Sequence, residues 1–170
     1  LESIDVSEVV LAIFLPSGKG NAVSNKYFVN ASKMKKTFSD ISIYELQHKP
    51  KIKIIKPSFA KTLGVDFSKE DCLNIKHSYS CPAGTRKLTI LPDGNVVGCE
   101  HLDNDVYGNV NKESLKKIWF NEESFKKWRN VYHINECIEC ESYCICRGGC
   151  RASAMLSEGG FLEKEPLCWK

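Results

Sequence analysis

Five cysteines fall within the fourteen residues CIECESYCICRGGC, namely Cys137, Cys140, Cys144, Cys146 and Cys150, and the chain carries nine in all. A tetrahedral metal site takes four thiolates, so this run overfills one site before Cys72, Cys81, Cys99 and Cys168 are counted. An odd number cannot all pair, and the start of the chain lacks the basic, apolar, small-residue order of a signal peptide. Metal ligation is therefore expected rather than a disulfide framework. Thiolates with almost no histidine nearby favour soft metals. The cysteine-rich end, from Cys137 to Lys170, shows little hydrophobic periodicity, as in segments held together by metal rather than by an apolar core.

With 170 residues, 42% of them hydrophobic and 26% charged, the chain has room for one full domain, or for a small domain and a piece of another, and its composition argues against disorder. A formal charge of +3 is small, and the lysine clusters KPKIKIIKPSFAK and SKMKK read as solvated faces, so neither nucleic acid nor membrane is an expected partner. No apolar run approaches the roughly 20 residues that span a bilayer, and a cytoplasmic location is expected. The chain begins at Leu1 rather than at methionine, which leads us to expect a piece or processed product of a longer protein.

All nine cysteines lie in residues 72 to 170, which puts a domain boundary near Asp71. Before it, VVLAIFLP (Val9 to Pro16) reads as a buried strand ending in the turn-forming PSGKGN. An amphipathic helix follows from about Ser32 to His48, with Met34, Phe38, Ile41 and Leu46 on one face and Pro50 as its stop. KIKIIKP then supplies a second strand, giving a βαβ unit with parallel strands that needs something packed beside it. After the boundary, KLTILPDGNVVGC reads as a hairpin turning at Pro92, Asp93 and Gly94. NKESLKKIWFNEESFKKWRN offers two short helices capped by Asn111 and Asn121, with Leu115, Ile118, Trp119, Phe125 and Trp128 as a core stripe.

The cysteines are spaced as Cys81, twelve residues, Gly94, four residues, Cys99; then Cys137, two residues, Cys140, five residues, Cys146, three residues, Cys150; then seventeen residues to Cys168. A zinc reading wants paired CxxC knuckles and finds one, and the bacterial ferredoxin run is absent from the sequence. Seven or eight thiolates fit two four-cysteine sites.

This order resembles the SPASM domain, the C-terminal extension of many radical SAM enzymes that modify peptides and proteins. The words ILPDGNVVGC, YGNV (Tyr107 to Val110), LKKIW (Leu115 to Trp119), CRGGCRA (Cys146 to Ala152) and EPLC (ending at Cys168) agree with it, so the resemblance covers about residues 81 to 168. It implies two auxiliary 4Fe4S clusters with interleaved ligands. Cys81, Cys99 and Cys150 would hold the first, and Cys137, Cys140, Cys146 and Cys168 the second. Cys72, nine residues before Cys81, is the candidate fourth ligand of the first, a place that some family members leave open. Cys144, two residues before Cys146, is expected to be a free thiol. Glu100, directly after Cys99, stands where some sulfatase-maturating relatives carry a catalytic aspartate, and is a candidate general base against a plain surface role. His48, His77, His101 and His133 are expected to serve surface or packing roles.

The resemblance also implies a fold class: α+β, a small hairpin with short helices and cysteine-rich loops around two clusters, preceded by a βαβ remnant of a partial (β/α) barrel. Residues 1–70 would be the end of that barrel, with PSGKG resembling one of its loops, and residues 71–170 the SPASM domain. The CxxxCxxC that binds the cluster cleaving S-adenosylmethionine is absent from this sequence, so the chain alone is not expected to be catalytic. S-adenosylmethionine and a third 4Fe4S cluster would belong to the preceding part of an intact enzyme. The implied partners are a peptide or protein substrate, lying between barrel and SPASM domain, and an electron donor or acceptor protein. Two other readings stand beside this one: a stand-alone iron–sulfur electron carrier, and a zinc-stabilised binding module.

Overall fold

The computed structural model describes residues 8–23, 27, 29–48, 53–55, 81–130, 134–157 and 159–169. The expected boundary at Asp71 lies outside them, as do Cys72, His77 and His133. Nothing is described of the His48 side chain.

Strands β1 (Glu8–Val10) and β2 (Lys53–Ile55) pair in parallel, Val9 opposite Ile54, with helix α1 (Ala31–His48) in sequence between them. This is the expected βαβ order, although β1 spans three residues and not the whole apolar run to Pro16. Asn30 starts α1, its side-chain oxygen accepting the amide of Lys33 at 2.9 Å, which satisfies one of the donors a helix start leaves free. Met34 and Phe38 are buried and Ile41 is half-buried, as the stripe requires, but Leu46 is 83% exposed. At 3.6 residues per turn the stripe continues to Glu45, and position 46 lies about a third of a turn off it. Met34 and Phe38 bury themselves against Leu11, Ile13 and Val29 and against Leu167, Cys146 and Trp169 near the other end of the chain. What packs beside the βαβ unit is therefore the cysteine-rich segment, with the Phe38 and Trp169 rings 5.8 Å apart.

The second half is built on a three-stranded antiparallel sheet, β3 (Thr89–Ile90), β4 (Asn95–Val97) and β5 (Val106–Asn109), in that order. The β3–β4 hairpin turns where expected: the Gly94 amide donates to the Leu91 carbonyl at 2.9 Å, and Gly94 has φ +86°, a conformation that glycine adopts at no side-chain cost. The third strand was not foreseen. Val96 pairs with Gly108 but Val97 with Val106, so Tyr107 is an extra residue in β5. A bulge of this kind re-aims a side chain, and here the Tyr107 ring stacks 4.2 Å from that of Phe125.

Helices α2 (Leu115–Phe120) and α3 (Lys126–Arg129) follow, but with other caps than the asparagines. Ser114 caps α2, accepting the Lys117 amide. Asn121 ends α2, and its side chain accepts the Glu123 amide in the link between the helices. Asn111 instead donates to the Asp93 carbonyl of the hairpin turn at 3.3 Å. A short polar side chain caps whichever amide the chain path brings to it, so Asn111 was read one turn too early. Of the stripe, Ile118, Phe125 and Trp128 are buried with Ala83 and Val96, Trp119 packs at their edge, and Leu115 is exposed.

Trp128 is the pivot of this core. A Cβ on Gly98 would come within 2.5 Å of its indole, and one on Gly84 within 2.4 Å of its Cβ, so the tryptophan lies directly against the backbone beside Cys99 and just after Cys81. Its Nε1 donates to Tyr107 Oη at 2.8 Å, Tyr107 Oη donates to Asp105 at 2.6 Å, and Lys127 closes the network on Asp105 at 2.6 Å. Burial, and then the Asp105 carboxylate, raise the Tyr107 pKa well above the ordinary tyrosine value. A pKa raised by folding makes a contribution to stability that is complete below the unfolded value, about 10, and is lost as pH rises through the folded one. We predict that in a titration of ring-labelled tyrosine Tyr107 ionises well above the ordinary tyrosine value, and that Asp105→Asn lowers its midpoint.

Candidate metal centre

The cysteines sit on turns and helix ends drawn from distant parts of the chain. Cys81 opens the loop against Trp128, and Cys99 follows β4. Cys137 ends the 3-10 turn Asn135–Cys137, and Cys140 follows it, its amide donating to the Cys137 carbonyl at 3.0 Å. Cys146 closes helix α4 (Tyr143–Cys146), and Cys150 caps helix α5 (Arg151–Leu156). Between them Arg147, Gly148 and Gly149 all have positive φ, at 49°, 77° and 79°. This left-handed run lies between Cys146 and Cys150. Gly149 also has no room for a side chain, since a Cβ would lie 2.7 Å from that of Glu165.

Two groups of sulfurs sense one another electrostatically. Burial pushes the Cys150 thiol up to about 12, and the Glu165 carboxylate and the charges of Cys81 and Cys99 push the same way. Cys99 is raised by burial, with Glu100 and Cys81 adding to it. In the other group burial pushes Cys146 up to about 11, with Cys168 and Cys137 adding to it. Cys137 is raised by burial and then by Cys168 and Cys140. Among the described residues, no three His, Cys, Asp or Glu side chains converge on a position for a single metal ion.

Cys144 corrects the expectation of a free thiol, because its sulfur is in a disulfide. Two residues along a helix turn a side chain by more than half a turn, so α4 points Cys144 away from the Cys146 group and leaves it to a different partner.

The donors suit an iron–sulfur cluster. They are all thiols, they are drawn from buried or half-buried positions, and backbone amides are directed at sulfur, as hydrogen bonds to cluster sulfurs require. The Ser153 amide lies 3.5 Å from Cys150 Sγ, the His101 amide bonds Cys99 and the Gly149 amide bonds Cys146. Thiols held this far above their usual range ionise when a cation compensates the lost hydration.

Two buried charged residues that sequence reasoning passed over organise this region. Glu165 is 1% exposed, and its carboxylate accepts from the Cys150 amide at 2.8 Å and from Ser153 Oγ at 2.5 Å, while its carbonyl accepts from the Cys168 amide at 2.9 Å. It thereby ties one cysteine of each group. Arg151, also 1% exposed, donates to the carbonyls of Phe161 and Glu163 at 2.8 and 2.7 Å and to that of Gly148. Both residues lie in words that were quoted, CRGGCRA and EPLC, but a single sequence does not distinguish a buried charge from a solvated one.

Glu100 is exposed and engaged: Lys87 Nζ donates to both its oxygens at 2.9 Å, and Thr89 Oγ1 donates to one at 3.2 Å. The Lys87 hydrogen bond is the main cause of a pKa lowered to about 2. His101 shares a 2.7 Å hydrogen bond with Ser17 of PSGKG. That bond spans a groove of about 440 Å³ between Ser17–Gly18 and the loop from Leu102 to Asp105, lined also by Met155 and Leu156.

Residues 81–150 match SPASM, an iron–sulfur cluster-binding domain. The chain is 31% identical over 136 residues to an AdoMet-dependent heme synthase from Methanosarcina barkeri, covering 74% of this chain and 38% of that protein. It is 32% identical over 92 residues to a PqqA peptide cyclase from Ruegeria pomeroyi, covering 50% of this chain and 24% of that one. Its fold is similar to that of Streptococcus suis SuiB bound to S-adenosylmethionine, with a TM-score of 0.59 at 18% identity over 85% of this chain and 35% of SuiB. The chain thus spans well under half the length of these proteins. Residues 81–150 are thus similar to the SPASM iron–sulfur cluster-binding domain, and the wider likeness is to parts of longer proteins.

Ser153→Ala leaves a buried Glu165 oxygen without its hydroxyl partner, which costs about 1–3 kcal/mol. A denaturant titration should show a loss of that size.

Proposed function

We propose that this chain is the auxiliary-cluster portion of a radical SAM maturase that acts on a peptide or protein, with residues 1–70 as the end of its partial barrel and residues 71–170 as its SPASM domain. Cys81, Cys99 and Cys150 would hold one 4Fe4S cluster, whose fourth place is open to another ligand, and Cys137, Cys140, Cys146 and Cys168 a second. When bound, such clusters supply one-electron transfer at potentials that the protein tunes.

The observation that carries this reading is the set of seven free, buried or half-buried thiols in the order of the SPASM match, with Cys150 and Cys168 tied through Glu165. Four further features support the barrel assignment. The strands β1 and β2 are parallel. The heme synthase alignment, at 136 residues, is longer than the stretch from Cys81 to the chain end. The likeness to SuiB covers 85% of the chain. The βαβ unit is packed on the cysteine-rich segment through Leu167 and Trp169.

For the substrate, SuiB has been solved bound to its precursor peptide SuiA. We place a peptide here in the groove between Ser17 and the Leu102–Asp105 loop, where the βαβ half meets the sheet half. The residues available there can orient a peptide by hydrogen bonding at Ser17, His101 and Asn104 and by apolar contact at Met155 and Leu156. Glu100 enters as an ion-paired carboxylate and not as the base, because a group held near 2 takes up a proton poorly at neutral pH.

Anaerobically purified protein should be brown with about eight irons per chain, four for each cluster. A colourless protein with stoichiometric zinc would overturn the assignment.

In the intact enzyme, Glu100→Gln should reduce product formation by less than about tenfold. A loss of about 10²-fold or more, the worth of a general base, would restore the catalytic role.

A further inference from the structure

Among the described residues, the groove between Ser17 and the Leu102–Asp105 loop carries one charge that nothing in its wall answers. Two carboxylates and one ammonium line it: Asp103, Asp105 and Lys127. Lys127 Nζ is committed to Asp105 at 2.6 Å, and the same carboxylate accepts from Tyr107 Oη at 2.6 Å and from Trp128 Nε1 at 3.2 Å. Asp105 is thereby satisfied by three donors of the protein itself. The groove's imidazole, His101, is tied to Ser17. Asp103 is exposed and, among the described residues, makes no hydrogen bond or ion pair, so its carboxylate is the charge left over.

Beside that carboxylate the wall is apolar. Met155 and Leu156 end helix α5 on the groove, and Met155 is 39% exposed. A flexible thioether adapts to side chains of different shape. The volume of about 440 Å³ falls in the range of clefts that take small ligands, which gives room for a short stretch of chain and not for a folded domain. One unanswered carboxylate next to an apolar wall discriminates by charge, because a cationic side chain is attracted to it and an anionic one is repelled.

We propose that this groove selects a lysine or arginine flanked by an apolar residue in the peptide it takes, with Asp103 as the specificity-determining residue and with Met155 and Leu156 receiving the apolar neighbour. The inference rests on the placing of a substrate peptide in this groove, made above. Asp103 is exposed, so the pairing is of the solvated kind, which changes affinity a few-fold and is screened by salt. The Lys127–Asp105 pair takes no part in it, because that pair is complete without a ligand.

The chain supplies its own probe: of its two methionines, Met155 lines the groove and Met34 is buried in the α1 core. With the methionine methyl groups labelled with ¹³C, the anaerobically purified chain is titrated with two end-blocked peptides, Leu-Lys-Leu and Leu-Glu-Leu. We expect the Met155 methyl resonance to move while that of Met34 stays, with the lysine peptide binding about two- to fivefold more tightly. That difference should shrink in about 0.5 M salt and vanish in Asp103→Asn. The salt dependence is read on the unsubstituted chain, so the test stands whatever the variant does. Equal affinities, a preference for the glutamate peptide, a difference that ignores salt, or one that survives Asp103→Asn overturns the charge selection and leaves the groove as a peptide site. A Met155 resonance that neither peptide moves overturns the placing of a peptide in this groove, and this inference with it.

Discussion

The structure turns on the buried pair Glu165 and Arg151. Neither charge is solvated, and each is surrounded by groups that hold the cysteine turns in place. Glu165 binds the amide of Cys150 through its carboxylate and that of Cys168 through its carbonyl, so one residue sets the relative position of the two sulfur groups. Arg151 gathers the Gly148 carbonyl of the glycine turn and the Phe161 and Glu163 carbonyls of the loop before Glu165. Buried charges are expensive unless they are hydrogen-bonded, and here the cost is offset by organising loops too short and irregular to bury much apolar surface. Burial lowers the Arg151 pKa and raises that of Glu165, as expected for two charges kept from water.

The rest of the fold supports that centre from two sides. On one, the sheet and helices α2 and α3 form an apolar core around Phe125 and Trp128, and Trp128 occupies the space that Gly84 and Gly98 leave open beside Cys81 and Cys99. On the other, α1 presses Met34 and Phe38 onto Leu167 and Trp169, which flank Cys168. Each sulfur group therefore rests on its own patch of core. Such packing fixes the dipoles and charges around the sulfurs.

Much of this was legible in the residues. The hairpin followed from Pro92-Asp93-Gly94 between β-prone runs, the βαβ order from an amphipathic helix between apolar segments, and the SPASM match from the cysteine spacing and the words around it. The misreadings have local causes. The preference of asparagine for caps points to Asn111 and Asn121, but Ser114 stands nearer the first amides of α2. Leu46 was assigned to a face that the helical repeat had already left. Strand β5 was missed because its bulge at Tyr107 breaks the alternation by which a strand is recognised.

The sequence by itself determined the chemistry: thiol donors in excess of one site, their order and spacing, and turns tight enough to present them. Those properties are local, resting on residue type and on the few bonds between neighbours. Only the tertiary structure decided which sulfurs share a neighbourhood, that Cys144 stands apart in a disulfide, that Glu100 is occupied by Lys87, and that Arg151 and Glu165 are buried at the centre. Each of these depends on contacts between residues distant in sequence, and an arginine or a glutamate reads the same along the chain whether it faces water or a cluster site.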